Sequence, residues 1–168
     1  MMPAADLRFV VERLGESARA LLARHFLALP LQDRYLRFAT PVSSPRIAAY
    51  VDGIDFGRDA VLAVRVAAAS ELAGVVHAAF DGDEAELGIS VLPAHRNGGI
   101  GRALLEGAVA QAAHRGMRRL WMHFLPHNAP IARLARKLGM RIASYGLLAS
   151  AQLELGAAVT KETISSGR

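Results

Sequence analysis

The sequence predicts an α/β fold in a single domain. Stretches with the alternating pattern of a β-strand are interspersed with stretches that have the 3.6-residue period of a helix, and a glycine-rich turn joins one strand to one helix. The chain has 168 residues, of which 52% are hydrophobic, and this length suits one hydrophobic core. No internal repeat or long linker divides it. We expect the domain over residues 1–160 and a polar, disordered tail over 161–168.

The N-terminal third is predicted to contain one strand and three helices. Residues 6–13 alternate between apolar and polar side chains, as expected of a strand. Apolar residues recur with the helical period over 16–29, and Pro30 ends this pattern because its ring cannot continue a helix. Two shorter helices are expected at 32–39 and 45–54.

The central part of the chain is predicted to form three strands and one helix. Residues 60–66 and 72–80 have strand patterns and are joined by a short polar turn. The sequence Asp-Gly-Asp at 81–83 is typical of a hairpin turn, and it leads into a third strand at 85–92. An apolar stripe then predicts a helix over 100–116.

The C-terminal part is predicted to add a strand, a helix and a closing pair of strands. A strand is expected at 119–125, and Asn128 is a favourable N-cap for the helix that follows. Gly139 lies where a helix commonly ends, because glycine adopts the left-handed conformation of the C′ position easily. The closing strands are expected at 140–145 and 148–157.

Composition excludes several classes of protein. The chain has no cysteine, which rules out disulfides, thiolate metal sites and a cysteine nucleophile. The histidines show no metal-ligand spacing, so we expect no metal. No apolar window is long enough to span a membrane, and the N-terminus lacks the basic and apolar segments of a secretory signal. A cytoplasmic location without a membrane partner is therefore expected.

The most informative segment is a glycine-rich turn with an arginine on each side. Glycine has no Cβ, so a ligand can approach the backbone closely there. Free N–H groups at the start of a helix, together with the helix dipole, favour an anion. The spacing matches neither a P-loop nor a G-x-G-x-x-G motif. We interpret the segment as a phosphate or pyrophosphate cradle with the sequence Arg96-Asn97-Gly98-Gly99-Ile100-Gly101-Arg102.

Two motifs together resemble those of the GCN5-related N-acetyltransferase (GNAT) family. The order Arg-x-x-Gly-x-Gly at 96–101 resembles the acetyl-CoA signature, and 128–140 resembles the family's second motif, Asn-x-x-x-x-x-Leu-Tyr-x-Lys-x-Gly-Phe. Residues 33–38 also resemble a segment of bacterial protein-lysine acetyltransferase domains. The resemblance implies the acyl-CoA N-acyltransferase fold, in which a mixed central sheet flanked by helices splays between its fourth and fifth strands.

The resemblance also implies how acetyl-CoA is held. The loop amides are expected to bind the pyrophosphate, and the fourth strand is expected to offer backbone groups to the pantetheine arm. Asn128 is expected either to contact that arm or to cap its helix. The implied cofactor-binding residues are Ile89, Val91, Leu92, Arg96, Asn97, Gly98, Gly99, Gly101, Arg102 and Asn128.

Catalysis requires a base for the amine and an acid for the leaving thiolate. Glu86 is one candidate base, by resemblance, and His123 is its rival because histidine titrates near neutral pH. His77, a lone histidine among small apolar residues, is interpreted as a core residue. The tyrosine that the family uses as acid is Ala135 here, so Tyr145 or water is expected to replace it.

The function predicted from these features is transfer of an acetyl group from acetyl-CoA to a primary amine, by direct attack in a ternary complex. The acceptor is either a small molecule or a protein lysine. The alternative is a catalytically weak acyl-CoA-binding module, because Ala135 cannot donate a proton. Exposed edge strands would allow a homodimer.

The net charge of +5 has three interpretations. An arginine-rich, solvated surface explains it most simply. A positive charge would also attract the anionic coenzyme A. Nucleic-acid binding is disfavoured because no run of Lys or Arg exceeds two residues and aromatic residues do not alternate with the basic ones.

Overall fold

Seven strands form one mixed sheet in the order β1-β2-β3-β4-β5-β7-β6. The computed structural model describes residues 9–66 and 71–156. The start of the predicted first strand, the polar turn near residue 70 and the predicted tail lie outside these ranges. The strands are β1 Val11–Arg13, β2 Ala60–Arg65, β3 Leu72–Asp81, β4 Glu84–Val91, β5 Arg119–Phe124, β6 Arg141–Tyr145 and β7 Leu148–Glu154.

Within the described ranges, five α-helices flank the sheet, and the predicted α/β fold is confirmed. Their bounds are α1 Arg19–Ala28, α2 Leu31–Phe38, α3 Ser44–Asp52, α4 Ile100–His114 and α5 Ala129–Lys137. None of the helices in the described ranges is long and apolar enough to cross a membrane. The segment Glu16–Ala18 differs from the prediction, because it is a 3₁₀ turn rather than the start of α1.

The last strand lies inside the sheet rather than at its edge. β7 pairs antiparallel with both β5 and β6, which leaves β6 as the outer strand. A hairpin in the sequence therefore folds back, so that its second strand inserts between two earlier ones. With β1 at the opposite end, the sheet has two edges, and the homodimer that such edges allow stays a prediction.

The sheet opens between β4 and β5, as the resemblance implied. These strands run parallel, and their pairing covers only Glu84–Glu86 against Arg119–Trp121. Beyond Glu86, β4 continues for five residues to Val91 while it remains paired with β3 on its other side. The unpaired edge of β4 therefore borders a wedge-shaped gap, which we call the splay.

Two hydrophobic layers hold the sheet, one on each face. Residues of α4 pack with Leu62, Val64 and their neighbours on one face, and residues of α1 and α3 pack with Val61 and Ala63 on the other. The alternation along β2 produces this division because successive side chains of a strand point to opposite faces. Both layers include residues with no exposed surface, so the strands beside the splay rest on a rigid base.

A buried histidine ties α1 to the sheet beside the splay. His25 is 1% exposed. Its Nδ1 lies 2.8 Å from the carbonyl oxygen of Leu72 and its Nε2 lies 2.7 Å from Oγ of Ser90. Because a carbonyl only accepts, Nδ1–H donates and the neutral Nε2 accepts the Ser90 hydroxyl proton. Burial lowers the pKa of His25 from 6.5 to about 4.

This histidine should make the protein less stable in acid. The unfolded chain takes up the proton near pH 6.5 and the folded chain only near pH 4, so stability falls as the pH drops through this window. The loss should be on the order of 3 kcal/mol. Urea unfolding of wild type and His25→Asn between pH 7 and pH 4 should show a flatter pH dependence in the variant.

The matched control is His114→Asn, at the exposed end of α4. It should keep the acid dependence of the wild type, because the buried histidine remains. An acid dependence that is the same in His25→Asn as in wild type would show that other groups cause it.

Candidate active site

The glycine-rich turn forms the N-terminal end of α4. Gly99 occupies the N-cap with a φ of +92° and Asn97 has a φ of +62°, both in the left-handed region where glycine is favoured. This conformation turns the chain sharply out of the short 3₁₀ segment Pro93–His95 and into the helix. No side chain caps α4, so its first N–H groups remain free for a ligand.

A cavity of about 740 Å³ lies in front of this turn. Its walls come from the turn, the first residues of α4, the end of β4 and one face of α5. Five cationic side chains and one carboxylate, Asp33, line it. The cations are Arg37, Arg96, Arg102, Arg133 and Lys137. Such an excess of positive charge at a helix N-terminus suits a ligand with several phosphate groups.

The two arginines beside the turn are held in different ways. Arg96 donates from Nε to the carbonyl oxygen of Val91 at 3.0 Å and pairs with Asp33 of α2 at 3.0 Å. Arg102 pairs with Glu106 one helical turn later, at 2.8 Å. Arg96 therefore links the turn to α2, whereas Arg102 is held by a partner within its own helix. Of the predicted loop residues, Gly98 alone does not line the cavity.

The edge of β4 presents alternate backbone groups to the splay. The N–H of Leu92 donates to the carbonyl oxygen of Ala73 in the strand on the other side, at 2.8 Å. Because backbone groups alternate along a strand, those of Ile89 and Val91 point to the opposite edge, toward the splay. Both residues line the large cavity. Leu92 does not fit its predicted role, since it is buried in the core and its N–H is already bonded.

Asn128 begins α5 but its side chain makes no capping hydrogen bond. It is only 7% exposed, and it lines the large cavity together with a second, smaller one. Of the two roles that the sequence allowed, the geometry therefore disfavours capping. The amide is free to bond with a ligand in the splay.

The smaller cavity, of about 300 Å³, lies on the other side of the splay. Apolar and aromatic side chains from α2, β4 and β5 form most of its wall, and Tyr50, His77, Glu86 and His123 add polar groups. The two cavities share five lining residues, which are Leu36, Arg37, Ile89, Asn128 and Ile131. The two cavities therefore adjoin along these residues, and a ligand in one cavity could contact a ligand in the other there.

The two candidate bases face each other across the splay. Nδ1 of His123 lies 3.2 Å from Oε1 of Glu86, and the two side chains are 47% and 65% exposed, respectively. Glu86 stands opposite Trp121 at the last paired position of β4 and β5, and His123 follows two residues later on the same face. The pairing of the strands thus joins two residues that the sequence suggested as rivals.

A chain of hydrogen bonds, which the sequence did not reveal, lines the small cavity. Tyr50 Oη lies 2.6 Å from Nδ1 of His77, and Nε2 of His77 lies 2.8 Å from Oδ2 of Asp59. Asp59 is 2% exposed, and it also accepts from Arg58 and from the N–H of Phe80. Burial opposes ionisation of Asp59, but the hydrogen bonds from Arg58 and His77 outweigh it and keep the pKa of the carboxyl below its ordinary value.

His77 is therefore more than a core residue. Burial lowers its pKa below the ordinary value, although the hydrogen bond to Asp59 acts in the opposite direction. The neutral ring donates from Nε2 to Asp59 and accepts the hydroxyl proton of Tyr50 at Nδ1. The only signal for this in the sequence was the presence of a histidine on a buried strand.

The predicted proton donor lies away from both cavities. Tyr145 ends the outer strand β6, is 76% exposed and lines neither cavity. Ala135 has no exposed surface and packs in the core, while its neighbour Leu134 lines the large cavity. The described residues thus place no tyrosine on α5 beside the cavity, and Tyr145 as the acid stays a prediction.

The fold and the site define an acetyltransferase of the GNAT class. The family model described as "Acetyltransferase (GNAT) family" matches residues 31–140, a range that includes α2, the splay, the glycine-rich turn and α5. The chain belongs to this family. The match also confirms the resemblance inferred from the two sequence motifs.

Solved structures of other proteins have the same fold. The GNAT domain of PAT from S. lividans has a TM-score of 0.76 and 23% identity, over 88% of this chain and 90% of that domain. Spermidine N-acetyltransferase from Vibrio cholerae, in complex with CoA and spermine, has a TM-score of 0.70 and 15% identity, over 90% and 98%. The structure of yncA from Salmonella typhimurium with its cofactor acetyl-CoA has a TM-score of 0.68 and 19% identity, over 88% and 94%.

A side chain at Gly99 should abolish binding of acetyl-CoA. Valine cannot easily adopt a φ of +92°, so the turn would change shape and its N–H groups would no longer converge. Acetyl-CoA at 100 times its Kd should stabilise the wild type by about 2.7 kcal/mol. Thermal denaturation of Gly99→Val should show little or none of this increase.

Gly116→Val is the matched control for this experiment. Gly116 has a φ of +74° at the other end of α4, with open space around it. The control should therefore lose apo stability through backbone strain and still be stabilised by acetyl-CoA. If acetyl-CoA stabilises Gly99→Val as much as it stabilises the wild type, the turn does not belong to the cofactor site.

Proposed function

We propose that this protein transfers the acetyl group of acetyl-CoA to an amine, by direct attack within a ternary complex. The observation that carries the proposal is the meeting of two cavities at the splay. The larger has an anion-binding turn and an excess of cations on its wall, and the smaller contains the paired side chains of Glu86 and His123.

The residues of the larger cavity fit acetyl-CoA. The N–H groups of the turn suit its pyrophosphate, and the surrounding cations suit its further phosphate. Arg133 and Lys137 belong to α5, whereas Arg96 and Arg102 belong to the turn, so two separate elements offer cations to the phosphates. When bound there, acetyl-CoA supplies a thioester whose carbonyl carbon an amine can attack.

The edge of β4 can hold the reacting carbonyl. The backbone groups of Ile89 face the splay at the common wall of the two cavities, and its N–H can donate to a carbonyl oxygen there. A donor that is already oriented stabilises developing negative charge without reorganisation. Asn128 lies on the same common wall and can donate or accept with its free amide.

Glu86 and His123 together can remove the proton from the acceptor amine. A carboxylate accepts from Nδ1–H of His123 and thereby leaves Nε2 of the ring able to take a proton. Glu86 can alternatively accept the proton directly, and His123 then orients the carboxylate. In both cases the two side chains act as one unit, because each positions the other.

The thiolate that leaves needs a proton, but not necessarily from a tyrosine. Thiols have pKa values of about 8.5, so a thiolate can leave near neutral pH without a strong acid. Water can reach the splay, and Tyr145 would have to act from the outer strand. Transfer should therefore persist despite Ala135, which favours an enzyme over a binding module.

Replacing Glu86 should slow the reaction without weakening cofactor binding. We expect Glu86→Gln to lower kcat by roughly 10²–10⁴-fold, the usual contribution of general acid–base catalysis. His123→Gln should have an effect of similar size. Because the two residues act as one unit, the double variant should be no slower than the slower single variant. Steady-state rates with a panel of amines and lysine peptides would measure this.

Glu71→Gln is the control, since Glu71 is exposed and lines neither cavity. It should keep the wild-type rate. Wild-type rates in both single variants would show that the amine arrives neutral or loses its proton to water. No transfer to any amine, despite tight binding of acetyl-CoA, would leave only the binding module.

Removing the hydroxyl of Tyr145 should change kcat by less than about tenfold, because this residue is exposed and lies outside both cavities. The expected result for Tyr145→Phe is therefore a rate close to wild type, with water as the proton donor. Steady-state kinetics at saturating acetyl-CoA would detect the difference. A large fall in kcat with unchanged affinity for acetyl-CoA would instead identify Tyr145 as the acid.

A further inference from the structure

The guanidinium of Arg37 lies at the junction of the two cavities without a carboxylate partner. Arg37 belongs to α2 and lines both cavities. Among the described residues, no carboxylate forms an ion pair with it. Its Nε is buried and makes no hydrogen bond within the described structure. Asp33 and Glu86, the carboxylates on the cavity walls, are paired with Arg96 and His123 instead.

Aromatic rings and a glycine hold this guanidinium in place. Its Cζ lies 4.7 Å from the ring centre of Phe38 and 5.7 Å from those of Phe26 and Tyr50. It is also seated directly on Gly88 of β4, where any Cβ would overlap its atoms. Contact with aromatic rings favours a cation, but it does not satisfy the N–H donors at the guanidinium edge.

The hydrogen-bond chain from Asp59 fixes one edge of the group. Nη2 of Arg37 donates to Tyr50 Oη at 3.0 Å. The hydroxyl of Tyr50 in turn donates to His77, and His77 donates to the buried Asp59. Every proton of the chain therefore points toward Asp59, and Tyr50 must accept from Arg37. Among the described residues, Nε has no acceptor. Nη2 keeps a second proton beside the one that it donates to Tyr50, so Nη2 and a neighbouring nitrogen can still offer a pair of donors in a fixed direction.

We propose that Arg37 binds a carboxylate of the acceptor, so that the acceptor is a small amine that also carries a carboxylate, as amino acids do. This inference rests on the proposed acetyl transfer. A partly buried, oriented cation without an anion is unfavourable, and a carboxylate matches the fork of a guanidinium with two parallel hydrogen bonds.

The position of Arg37 favours the acceptor over the phosphates of coenzyme A. The other cations of the large cavity lie at the turn and on α5, whereas Arg37 stands over the middle of β4. Glu86 and Gly88 lie on the same face, about 7 Å apart by the rise of a strand. This separation fits one small molecule that carries both an amine and a carboxylate. Its amine would bond to Glu86 and its carboxylate to Arg37, each at a distance of about 2.8 Å.

The size and lining of the small cavity support the same class of acceptor. Its volume of about 300 Å³ is at the lower end for ligand sites, and its other walls are apolar side chains such as Leu87, Met122 and Phe124. A polyamine would need several anionic groups, and Glu86 is the one carboxylate among the described residues that line this cavity. An amino acid with an apolar side chain would pair with both Glu86 and Arg37 and would also pack against the apolar side chains of the cavity.

The test compares α-amino acids with the amines that lack their carboxylates, for example leucine with isoamylamine and lysine with cadaverine. In wild type, the kcat/KM of at least one amino acid should exceed that of its matched amine by roughly 10- to 100-fold, the contribution of a hydrogen bond to a charged group. Arg37→Gln should remove this preference by lowering kcat/KM for the amino acid only, with KM for acetyl-CoA unchanged.

Two further variants keep the test decisive. Gly88→Ala retains the arginine but displaces its guanidinium, so it should reduce the preference in the same way. Arg37→Lys keeps a charge but cannot form the paired hydrogen bonds, and its preference should be intermediate. This variant replaces Arg37→Gln if that protein fails to fold. Arg24→Gln, an exposed position of α1 outside both cavities, should retain the wild-type preference.

The possible failures are distinguishable. If wild type transfers acetyl groups to plain amines or lysine peptides as well as to amino acids, the proposed function stands and the carboxylate inference is wrong. If Arg37→Gln raises KM for acetyl-CoA and leaves the acceptor preference unchanged, Arg37 binds the cofactor. If wild type transfers acetyl to no amine at all, the proposed function itself fails.

Discussion

The early end of the pairing between β4 and β5 is the constraint on which the rest of the structure depends. Three positions pair, and then the strands diverge. The edge of β4 thereby keeps free backbone groups, which a continuous sheet would have bonded internally. Both cavities open along this edge, and Glu86 and His123 meet where the pairing stops. The two hydrophobic layers are needed because they hold an interrupted sheet without letting it close.

Much of the fold could be predicted because its signals are local. Helical period, strand alternation and turn residues such as Gly82 and Gly139 act over a few positions, so most elements were found close to their observed bounds. The first strand is an exception, since it begins at Val11 rather than at residue 6 within the described part of the chain. The place of β7 between β5 and β6 was not predictable in this way. It depends on which edge a hairpin joins, and that choice is made by packing between residues far apart in the chain.

The same distinction between local and long-range signals applies to the residues of the site. The glycine-rich turn was recognisable because its chemistry is contained in seven consecutive residues. The chain Tyr50–His77–Asp59 was missed because its members are 27 and 18 residues apart, and Asp59 in a loop resembles an ordinary turn residue. Glu86 and His123 were each identified, but their contact follows from strand register, which no single segment specifies. The N–H of Leu92 is bonded within the sheet, because alternation along the strand decides which edge an N–H faces.

The guanidinium of Arg37 packs directly on Gly88, where a Cβ would displace it. The choice of acceptor therefore depends on the absence of a side chain at this position. Residues that determine specificity are usually sought among side chains that contact the substrate, and a glycine contributes none. If alanine replaced Gly88 during the divergence of related sequences, the charge of Arg37 would be displaced although no charged residue was gained or lost. The family could thus change its acceptors through a replacement that looks conservative, while every polar residue of the pocket stays the same.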